Sequence, residues 1–415
     1  MWIGHDRGMG IDDPLLPAAV HLSGPHAGDI IRPAIEQYGG MLGEHRLARL
    51  HYRPGQSLVA RFRATIITAD GHSHRETVLA ATTQTGAPAG TVVVTTGNPT
   101  GDLTVGVWRW PFDPALPALE HIVDRTVEHL GASGVVVPSS PLTVETVVYR
   151  PMDRAVLRLT TPDTTWYVKV VRPRAAAAVV ARHRLLHDHG LPVPTVVAAN
   201  VEQGWMIVNE LADPTLRTLI KSDADTWPTP ATLHDLIRRI ASIGNDAAGA
   251  ELQRAFRRRL VDGPHHANLL ATALPAERDR LTRLADAFDA VAARDTGSDG
   301  FVHGDLHENQ ITVAGGRITG LLDIDEAGIG DPLDDVAVPV AHLRYRALTA
   351  NNAPRLHSLA DGLVAAVGDD HDPGALGVAI ASVLVGLATT PYRSQSDGWE
   401  PKVRAVLDIA ERSIA

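Results

Sequence analysis

The sequence contains no cysteine among its 415 residues. Disulfide bonds, thiolate metal sites and a cysteine nucleophile are therefore excluded, and the chain is compatible with a reducing compartment. It also lacks a long run of basic residues, and its formal net charge is -10. Because proteins that bind duplex nucleic acid rely on clustered lysine and arginine, we expect no nucleic-acid partner. Negative charge suits a cationic or neutral small substrate.

Long apolar segments are missing as well. The first residues, MWIGHDRGMGIDDPLL, have no apolar core flanked by basic residues, which a signal peptide needs. The longest apolar runs, such as Leu376 to Ala388, are shorter than the roughly 20 residues that span a bilayer, so they predict buried helices. We therefore expect a cytoplasmic protein without membrane contact. The sequence does not reveal the oligomeric state, although it slightly favours a monomer.

The length of the chain predicts more than one hydrophobic core. An α/β region comes first, a strand-rich region follows, and most of the chain beyond Asp213 has apolar residues three and four positions apart, as helices do. The segment GASGVVVPSSP near Gly131 has the composition of a linker. We predict domains at residues 1–135, 136–212 and 213–415.

A short repeat links the first two regions. YRPGQSLVARFR begins at Tyr52 and YRPMDRAVLRLT begins at Tyr149, and each predicts a strand, a turn with proline and a second strand. A third predicted strand, TWYVKVV, carries Lys169, whereas its counterpart RETVLAATT has alanine there. The N-terminal region is therefore a candidate degenerate copy of the strand-rich region. The alternative is that two unrelated hairpins share the same turn chemistry.

The later part of the chain contains one polar loop between helical segments. Residues from Pro173 to His189 predict a helix that begins with proline and ends before Gly190. The loop FVHGDLHENQ, from Phe301 to Gln310, is followed by QITVAG and RITGLLDID, which predict a hairpin with Gly315-Gly316 at its turn. The loop and the hairpin concentrate carboxylates and amides.

A strand lysine followed by such a loop and hairpin suits phosphoryl transfer from ATP. Lysine neutralises phosphate charge, an acid and an amide hold Mg²⁺ through oxygen ligands, and a loop aspartate accepts the proton of the attacking hydroxyl. At HGDLH, from His303 to His307, the chain resembles the aminoglycoside phosphotransferase and choline kinase-like family, from about Leu142 to the C-terminus. This resemblance implies an α+β, two-lobed protein-kinase-like fold, here with an extra N-terminal α/β cap domain.

The resemblance assigns a role to each acid and amide of the loop and hairpin. Asp305 corresponds to the catalytic base, and Gln310, five positions later, to the metal ligand of the loop. Asp323 corresponds to the second metal ligand, and Asp325 is a further candidate. By this spacing Asn309 becomes a structural residue of the loop. The implied cofactors are ATP and Mg²⁺.

The remaining candidate residues fall into three groups. The candidate nucleotide ligands are Lys169 for the phosphates, the hinge residues Asn209, Glu210 and Leu211 for adenine, and Arg150 and Arg154, which stand where a glycine-rich loop is missing. The candidate substrate ligands are His307 and, in the late polar segment Thr389 to Pro401, Tyr392, Arg393, Asp397 and Trp399. The candidate structural residues are His303, Asp331 and Asp335.

Alternatives exist at several of these positions. Arg150 and Arg154 also suit exposed surface arginines, and the late polar segment also suits a surface connector. A zinc site of His303, Asp305 and His307 would need a helix, which Gly304 disfavours. The helix after Lys169 lacks the expected acidic partner and has Val179 near that position.

Two departures from the family pattern refine the predicted function. Glutamine instead of asparagine at Gln310, together with the N-terminal domain, resembles the bacterial maltokinase and glucosamine kinase group. We therefore expect an enzyme that transfers the γ-phosphate of ATP to a sugar or amino sugar. The alternatives are an aminoglycoside-type antibiotic kinase and, because Lys169 lacks its acidic partner, a nucleotide-binding pseudokinase.

Overall fold

The computed structural model describes residues 11–96, 103–132, 134–135, 141–244, 259–294, 300–394 and 396–414. Most of the predicted linker near Gly131, and most of the predicted helix AELQRAFRRRLVD, lie outside the described residues.

The N-terminal region consists of two helices and a sheet whose two faces differ in polarity. The helices are α1 (Ala19–Ser23) and α2 (Ala27–Gln37). The strands are β1 (Gly40–Arg53), β2 (Ser57–Thr68), β3 (Ser73–Thr83), β4 (Val92–Thr96) and β5 (Leu103–Arg109), in the order β1-β2-β3-β5-β4. On β2, Phe62 and Ala64 are buried while Arg63 between them is exposed. The apolar face therefore forms a core and the other face is polar.

A second set of elements has the same arrangement. The helices α3 (Ala118–Asp124) and α4 (Thr126–Ala132) precede it, and α5 (Pro173–Asp188) lies within it. Its strands are β6 (Thr143–Arg150), β7 (Arg154–Thr160), β8 (Thr165–Val171), β9 (Val196–Asn200) and β10 (Trp205–Asn209), in the order β6-β7-β8-β10-β9. Both sheets thus have the same strand order, first-second-third-fifth-fourth.

A buried aspartate holds the first hairpin turn of each sheet. Asp13 accepts hydrogen bonds from the hydroxyl of Tyr52 at 2.9 Å and from the amide of Gly55 at 2.7 Å. In the second copy, Asp113 accepts from the hydroxyl of Tyr149 at 2.8 Å and from the amide of Met152 at 2.9 Å. Each carboxylate also accepts the amide two residues later in its own chain segment.

These paired contacts extend the repeat beyond the Tyr-Arg-Pro segments. Asp13 begins DPLLPA and Asp113 begins DPALPA, a similarity that sequence analysis overlooked. The turn residues correspond as well, because Gly55 has φ +64° and Met152 has φ +60°. A side chain at positive φ costs of order 1 kcal/mol or more, and the hydrogen bond to Asp113 offsets that cost.

The rest of the chain is mainly helical. Its helices are α6 (Leu216–Lys221), α7 (Pro230–Ala241), α8 (Arg259–Ala273), α9 (Arg278–Arg294), α10 (Pro332–Ala347), α11 (Ala353–Val367), α12 (Pro373–Arg393) and α13 (Trp399–Ile414). Two antiparallel two-stranded sheets pair β11 (Gly300–Val302) with β14 (Gly328–Gly330), and β12 (Ile311–Ala314) with β13 (Arg317–Leu321). Phe288, Phe301 and Leu384 are fully buried members of its core.

The structure has the predicted α+β class, with strand-rich and helical parts as in kinase-like folds. It divides into two compact units. The first contains the described residues up to Arg174 together with Asn200–Trp205 and the described part of Arg393–Gln395. The second contains Ala175–Ala199, Met206–Tyr392 and Ser396–Ala415. The predicted helix from Pro173 is confirmed. The predicted turn at Gly315-Gly316 is also confirmed, and both glycines have positive φ.

The apolar run Leu376 to Ala388 lies in a longer helix than the sequence analysis expected. Helix α12 has 21 residues, so by length and composition it is one candidate membrane span among the described residues. Within its most apolar window, 61% is buried inside the structure, which is typical of a core helix and weak evidence for a span. The prediction of a buried helix is confirmed, and the helix continues beyond the apolar run through Pro391 to Arg393.

The paired aspartates predict a difference between adjacent substitutions. Asp13→Ala should lower the free energy of unfolding of the first unit by about 2–3 kcal/mol, because the Tyr52 hydroxyl and the Gly55 amide lose their acceptor. Asp12→Ala is the matched control, since Asp12 is exposed, and should change it by less than about 0.5 kcal/mol. Urea unfolding of both variants measures the difference; equal losses would contradict this role for Asp13.

Candidate active site

The loop FVHGDLHENQ is fixed to helix α10 by one buried carboxylate. Asp335, whose residue is 1% exposed, accepts the amide of His303 at 2.7 Å through one oxygen and the amide of Gly304 at 2.9 Å through the other. Asp331 caps the start of α10 by accepting the amide of Leu333 at 3.0 Å. Asp335 thus sets the position of the loop, and Asp331 that of the helix which carries Asp335.

His303 connects the loop to the hairpin that follows it. Its Nε2 lies 3.0 Å from the carbonyl oxygen of Leu322, and its Nδ1 lies 3.2 Å from the amide of Asp305. The ring is therefore a donor at Nε2 and an acceptor at Nδ1. Gly304 has φ +81°, which suits glycine, and the residues from His303 to His307 are not helical. The helix that the alternative zinc site required is absent from this described loop.

Asp305 is accessible while its backbone is held. Its side chain is 36% exposed, and its Oδ2 lies 3.7 Å from Nε2 of His307. Asp335 and His303 hydrogen-bond the backbone at and before Asp305, so the backbone that carries the carboxylate is held in place while the carboxylate itself is exposed to solvent. A base that receives a proton from a bound molecule needs both properties.

Gln310 and Asp323 lie side by side at the base of the β12–β13 hairpin. The amide of Leu322 donates to the carbonyl of Gln310 at 2.7 Å, so the two ends of the hairpin are joined there. Nε2 of Gln310 lies 3.4 Å from Oδ2 of Asp323 and 3.2 Å from Nε2 of His307. Rotation of the amide by 180° would present its oxygen beside the carboxylate. An amide oxygen and a carboxylate fit the preference of Mg²⁺ for oxygen ligands.

Asp323 and Asp325 differ in their surroundings. Asp323 has φ +52°, a left-handed conformation that aspartate adopts more readily than most residues with a side chain. Asp325 lies in the 3-10 turn that follows. Burial lowers the pKa of Arg182, and the negative charge of Asp325 offsets part of this effect. Arg182 extends from α5 and donates from Nε to the carbonyl of Ala327 at 2.6 Å. Helix α5 therefore contributes a cation, not an acid, to the hairpin region.

Glu308 is the site residue that sequence analysis missed. Its side chain is 1% exposed, and its Oε1 lies 2.5 Å from Nε of Arg346 and 4.0 Å from Nη1 of Arg217. Its Oε2 lies 3.6 Å from Nδ1 of His307 and 3.5 Å from Nδ1 of His342. Burial alone would raise the pKa of Glu308, but the two imidazoles beside it lower the pKa far below its usual range.

His307 takes its position from this cluster. Its ring stacks on that of His342 with 4.3 Å between centroids and 5° between planes. His307, Glu308 and His342 each place one possible ligand atom within 4.8 Å of the others. The acidic residue in LHENQ was a readable signal, but Arg346 lies 38 positions away and no local pattern connects the two.

The residues predicted to bind nucleotide lie on the second sheet and after it. Lys169 is buried on β8, opposite Val156 of β7. The amide of Asn209 donates to the carbonyl of Thr195 at 3.2 Å, and the side-chain oxygen of Asn209 accepts from the amide of Thr195. Leu211 packs against Gly320, where an added Cβ would lie 2.4 Å from Cδ1 of Leu211. Glu210 lies between these two hinge residues, in the segment after β10.

The two arginines at the β6–β7 turn and Val179 were singled out by the comparison with the family pattern. Arg150 ends β6, is exposed, and pairs across the hairpin with Arg154 at the start of β7. Val179 is buried on α5, and no acidic residue occurs in α5 before Asp188. Whether the arginines bind phosphate stays a prediction.

The late polar segment is shorter than expected because the helices extend into it. Tyr392 and Arg393 belong to the last turn of α12, and Trp399 is the first residue of α13. The rings of Tyr392 and Trp399 lie 5.1 Å apart, and Asp397 between the helices is exposed. Nε of Arg393 donates to the carbonyl of Tyr52 at 3.0 Å, and burial lowers the pKa of Arg393. Asn309, in the loop itself, donates its amide to Nδ1 of His307 at 3.2 Å.

The buried cluster predicts a strong dependence on Glu308. Glu308→Ala should lower the free energy of unfolding by about 3 kcal/mol, because Arg346 and His342 would lose their buried carboxylate partner and a cavity would remain in its place. Asp361→Ala is the matched control: Asp361 also pairs with an arginine of α10, Arg344, but its side chain is 64% exposed. It should cost less than about 1 kcal/mol.

Thermal and urea unfolding of the two variants test this difference. If Asp361→Ala destabilised the protein as much as Glu308→Ala, burial of the Glu308 ion pair would not be the cause.

Comparison with known proteins gives several similar solved structures and one family model. One similar solved structure is a thermostable mutant of aminoglycoside phosphotransferase APH(4)-Ia, which has 16% sequence identity over 70% of this chain and 97% of the other chain, with a TM-score of 0.48. Another is macrolide 2'-phosphotransferase MphH from Brachybacterium faecium, which has 17% identity over 69% of this chain and 98% of the other chain, with a TM-score of 0.44. The ADP-bound aminoglycoside phosphotransferase APH(2'')-Ib has 14% identity over 70% and 99%, with a TM-score of 0.47. No curated protein matches the chain.

A family model matches residues 152–363, which is more than half of the chain and includes the loop from His303 to Gln310 and the hairpin after it. Its description is the phosphotransferase enzyme family. The prediction of a phosphotransferase, and thus of an enzyme, is confirmed at that level. The closer resemblance to the maltokinase and glucosamine kinase group is not confirmed. The chain belongs to the phosphotransferase enzyme family.

Proposed function

We propose that the chain transfers the γ-phosphoryl group of ATP to a hydroxyl group of a small acceptor. The observation that carries this proposal is the accessible carboxylate of Asp305, held by Asp335 and followed by the adjacent oxygen-bearing side chains of Gln310 and Asp323. A proton acceptor and a cation site on one loop and hairpin are the two elements that phosphoryl transfer to an alcohol requires.

In the proposed reaction each residue has one task. Asp305 orients the acceptor hydroxyl and receives its proton as the acceptor oxygen bonds to the γ-phosphorus. The bond from that phosphorus to the bridging oxygen breaks, and ADP leaves. Gln310 and Asp323 would hold Mg²⁺, with Asp325 as a further ligand, and the ion would neutralise phosphate charge when bound. His307 would border the acceptor beside Asp305.

The nucleotide would be held by the remaining predicted ligands. Lys169 would offset charge on the α- and β-phosphates, assisted by Arg150 and Arg154. The backbone from Asn209 to Leu211 would hydrogen-bond adenine. In this arrangement residues 136–212 form the small lobe, residues 213–415 the large lobe, and residues 1–135 a cap that copies the small lobe. The same strand order in both sheets supports that view of the cap.

For the acceptor we propose an aminoglycoside-type amino sugar compound. The phosphotransferase family match supports this class, and a chain with a net charge of -10 suits a cationic acceptor. A simple sugar or amino sugar is the second candidate. Gln310 at the metal position and the cap domain favour it, since both features led to the resemblance with maltokinases and glucosamine kinases. Tyr392, Arg393, Asp397 and Trp399 remain candidate acceptor ligands.

Replacement of the proposed base gives the direct test. Asp305→Ala should lower turnover about 100-fold or more, because the hydroxyl loses its proton acceptor, while nucleotide affinity changes little. Asp286→Ala is the matched control, since Asp286 is an exposed aspartate on α9, and it should retain normal turnover. Steady-state kinetics with nucleotide titration measures both. Near-normal phosphorylation by Asp305→Ala would refute the assignment.

The two adjacent amides give a test of register. Gln310→Ala should raise the Mg²⁺ concentration needed for half-maximal activity far more than Asn309→Ala, because the Gln310 side chain lies beside Asp323. Activity measured across a Mg²⁺ titration gives the comparison. Equal shifts in the two variants would show that the counting from Asp305 is wrong.

Acceptor identity requires a panel assay. ATP consumption measured with aminoglycosides, amino sugars and neutral sugars separates the two candidate acceptor classes. The absence of turnover with every acceptor, combined with retained nucleotide binding, would favour the pseudokinase alternative.

A further inference from the structure

The polar face of the first sheet is unusually rich in arginine. Arg46 and Arg49 of β1, Arg61 and Arg63 of β2, and Arg75 of β3 lie on it, because Arg46 pairs with Arg63, Arg49 with Arg61, and Thr65 with Arg75 across the strands. We call these five residues the arginine face. On the opposite face of β2, Phe62, Ala64 and Ile66 are buried. Five cations on one face contrast with a chain whose net charge is -10.

The second sheet provides an internal reference for this face. Counted from the Tyr-Arg-Pro segments, Arg61 corresponds to Arg158, which in the second sheet pairs with Glu145 across the strands at 2.5 Å. The residue opposite Arg61 is Arg49. An ion pair in one copy is therefore a like-charge pair in the other. Like charges directly opposite on a sheet destabilise it by a few tenths of a kcal/mol or more.

The same correspondence relates the arginine face to the lysine of the second sheet. Lys169 pairs with Val156, and the equivalent residues in the first sheet are Ala81 and Val59. His51 of β1 lies opposite Val59. The arginine face is thus the counterpart of the face that carries Lys169. The first copy has alanine at the position of that lysine and has arginines further along the strands.

The lowered pKa values of His51 and Arg61 reflect the positive electrostatic potential of this face. Burial and then the charges of Arg49, Arg61, Arg150 and Arg53 lower the pKa of His51 to about 4. Burial, followed by Arg49 and Arg63, also lowers the pKa of Arg61. Each of these cations makes a further positive charge less favourable. An anion would have the opposite effect.

A cleft of about 1040 Å³ lies at one end of the arginine face. Arg46, Arg63 and Arg75 line it together with Thr65, Thr77, His45 and Trp110. Two acids, Glu44 and Glu76, also line it. Glu76 is already bound by Arg109, whose Nε donates to Oε2 at 2.6 Å. The cleft is large enough for a small organic molecule.

We propose that the arginine face and its cleft bind a small phosphate-bearing ligand. Arginine suits this class, because its planar guanidinium donates two parallel hydrogen bonds to phosphate oxygens and keeps its charge. Arg46 and Arg63, directly opposite each other, would share one phosphoryl group, and Arg75 would hold a second negative group. The indole of Trp110 and the hydroxyls of Thr65 and Thr77 would contact the remainder of the ligand.

Calorimetric titration of the full chain tests the proposal, with inorganic tripolyphosphate and glucose 6-phosphate as probes at constant ionic strength. The double variant Arg46→Ala/Arg63→Ala should bind the preferred probe about tenfold or more weakly. Both side chains are exposed, so the fold should persist, and thermal unfolding without ligand checks this. The control Arg125→Ala/Arg238→Ala removes the same charge from two exposed positions, one between α3 and α4 and one on α7, and should change affinity less than about twofold.

The Lys169→Met background separates this site from the proposed nucleotide site. Retained binding there, lost on addition of Arg46→Ala/Arg63→Ala, supports the proposal even if no acceptor is ever phosphorylated. Tighter binding of tripolyphosphate would identify an inorganic or polyphosphate ligand, and tighter binding of glucose 6-phosphate an organic ester; both support the site. Loss of all binding in Lys169→Met alone, equal weakening by the two double variants, or no binding of either probe would overturn it.

Discussion

The hydrogen bonds from the amides of His303 and Gly304 to the buried carboxylate of Asp335 are the interaction on which the site depends. A loop that contains glycine at positive φ has many alternative conformations, and two charge-assisted bonds from one rigid helix select one of them. Asp305, Gln310 and the hairpin start all follow from that choice. Glu308 adds a second attachment to the same helix through Arg346.

The first unit shows how one backbone arrangement can be kept while its chemistry changes. Asp13 and Asp113 hold equivalent turns through equivalent hydroxyl and amide donors. These contacts are buried, so their loss would leave several polar groups without partners. Exposed positions have no such constraint. Glu145 opposite Arg158 in one copy and Arg49 opposite Arg61 in the other show that the charge of the polar face differs between two hairpins that are both antiparallel.

Much of the architecture was predictable from local patterns. The glycine pair at Gly315-Gly316 and the helix that begins at Pro173 follow from backbone preferences of single residues. The Tyr-Arg-Pro repeat indicated two related hairpins. The extent of α12 was not predictable in this way, because Pro391 is a helix breaker by propensity and is tolerated here in the last turns of a buried helix.

The family of the chain and the order of the residues that carry the chemistry were both readable in the sequence. The spacing from Asp305 to Gln310 and Asp323 is a local property, because the loop and the short hairpin that join these residues restrict where their side chains can lie. Tertiary structure decided which residues support them. Glu308 is bound by Arg346, and Asp13 by Tyr52, across 38 and 39 positions of sequence. Such partners share no periodic pattern, because burial and packing of separate elements, and not backbone preference, bring them together.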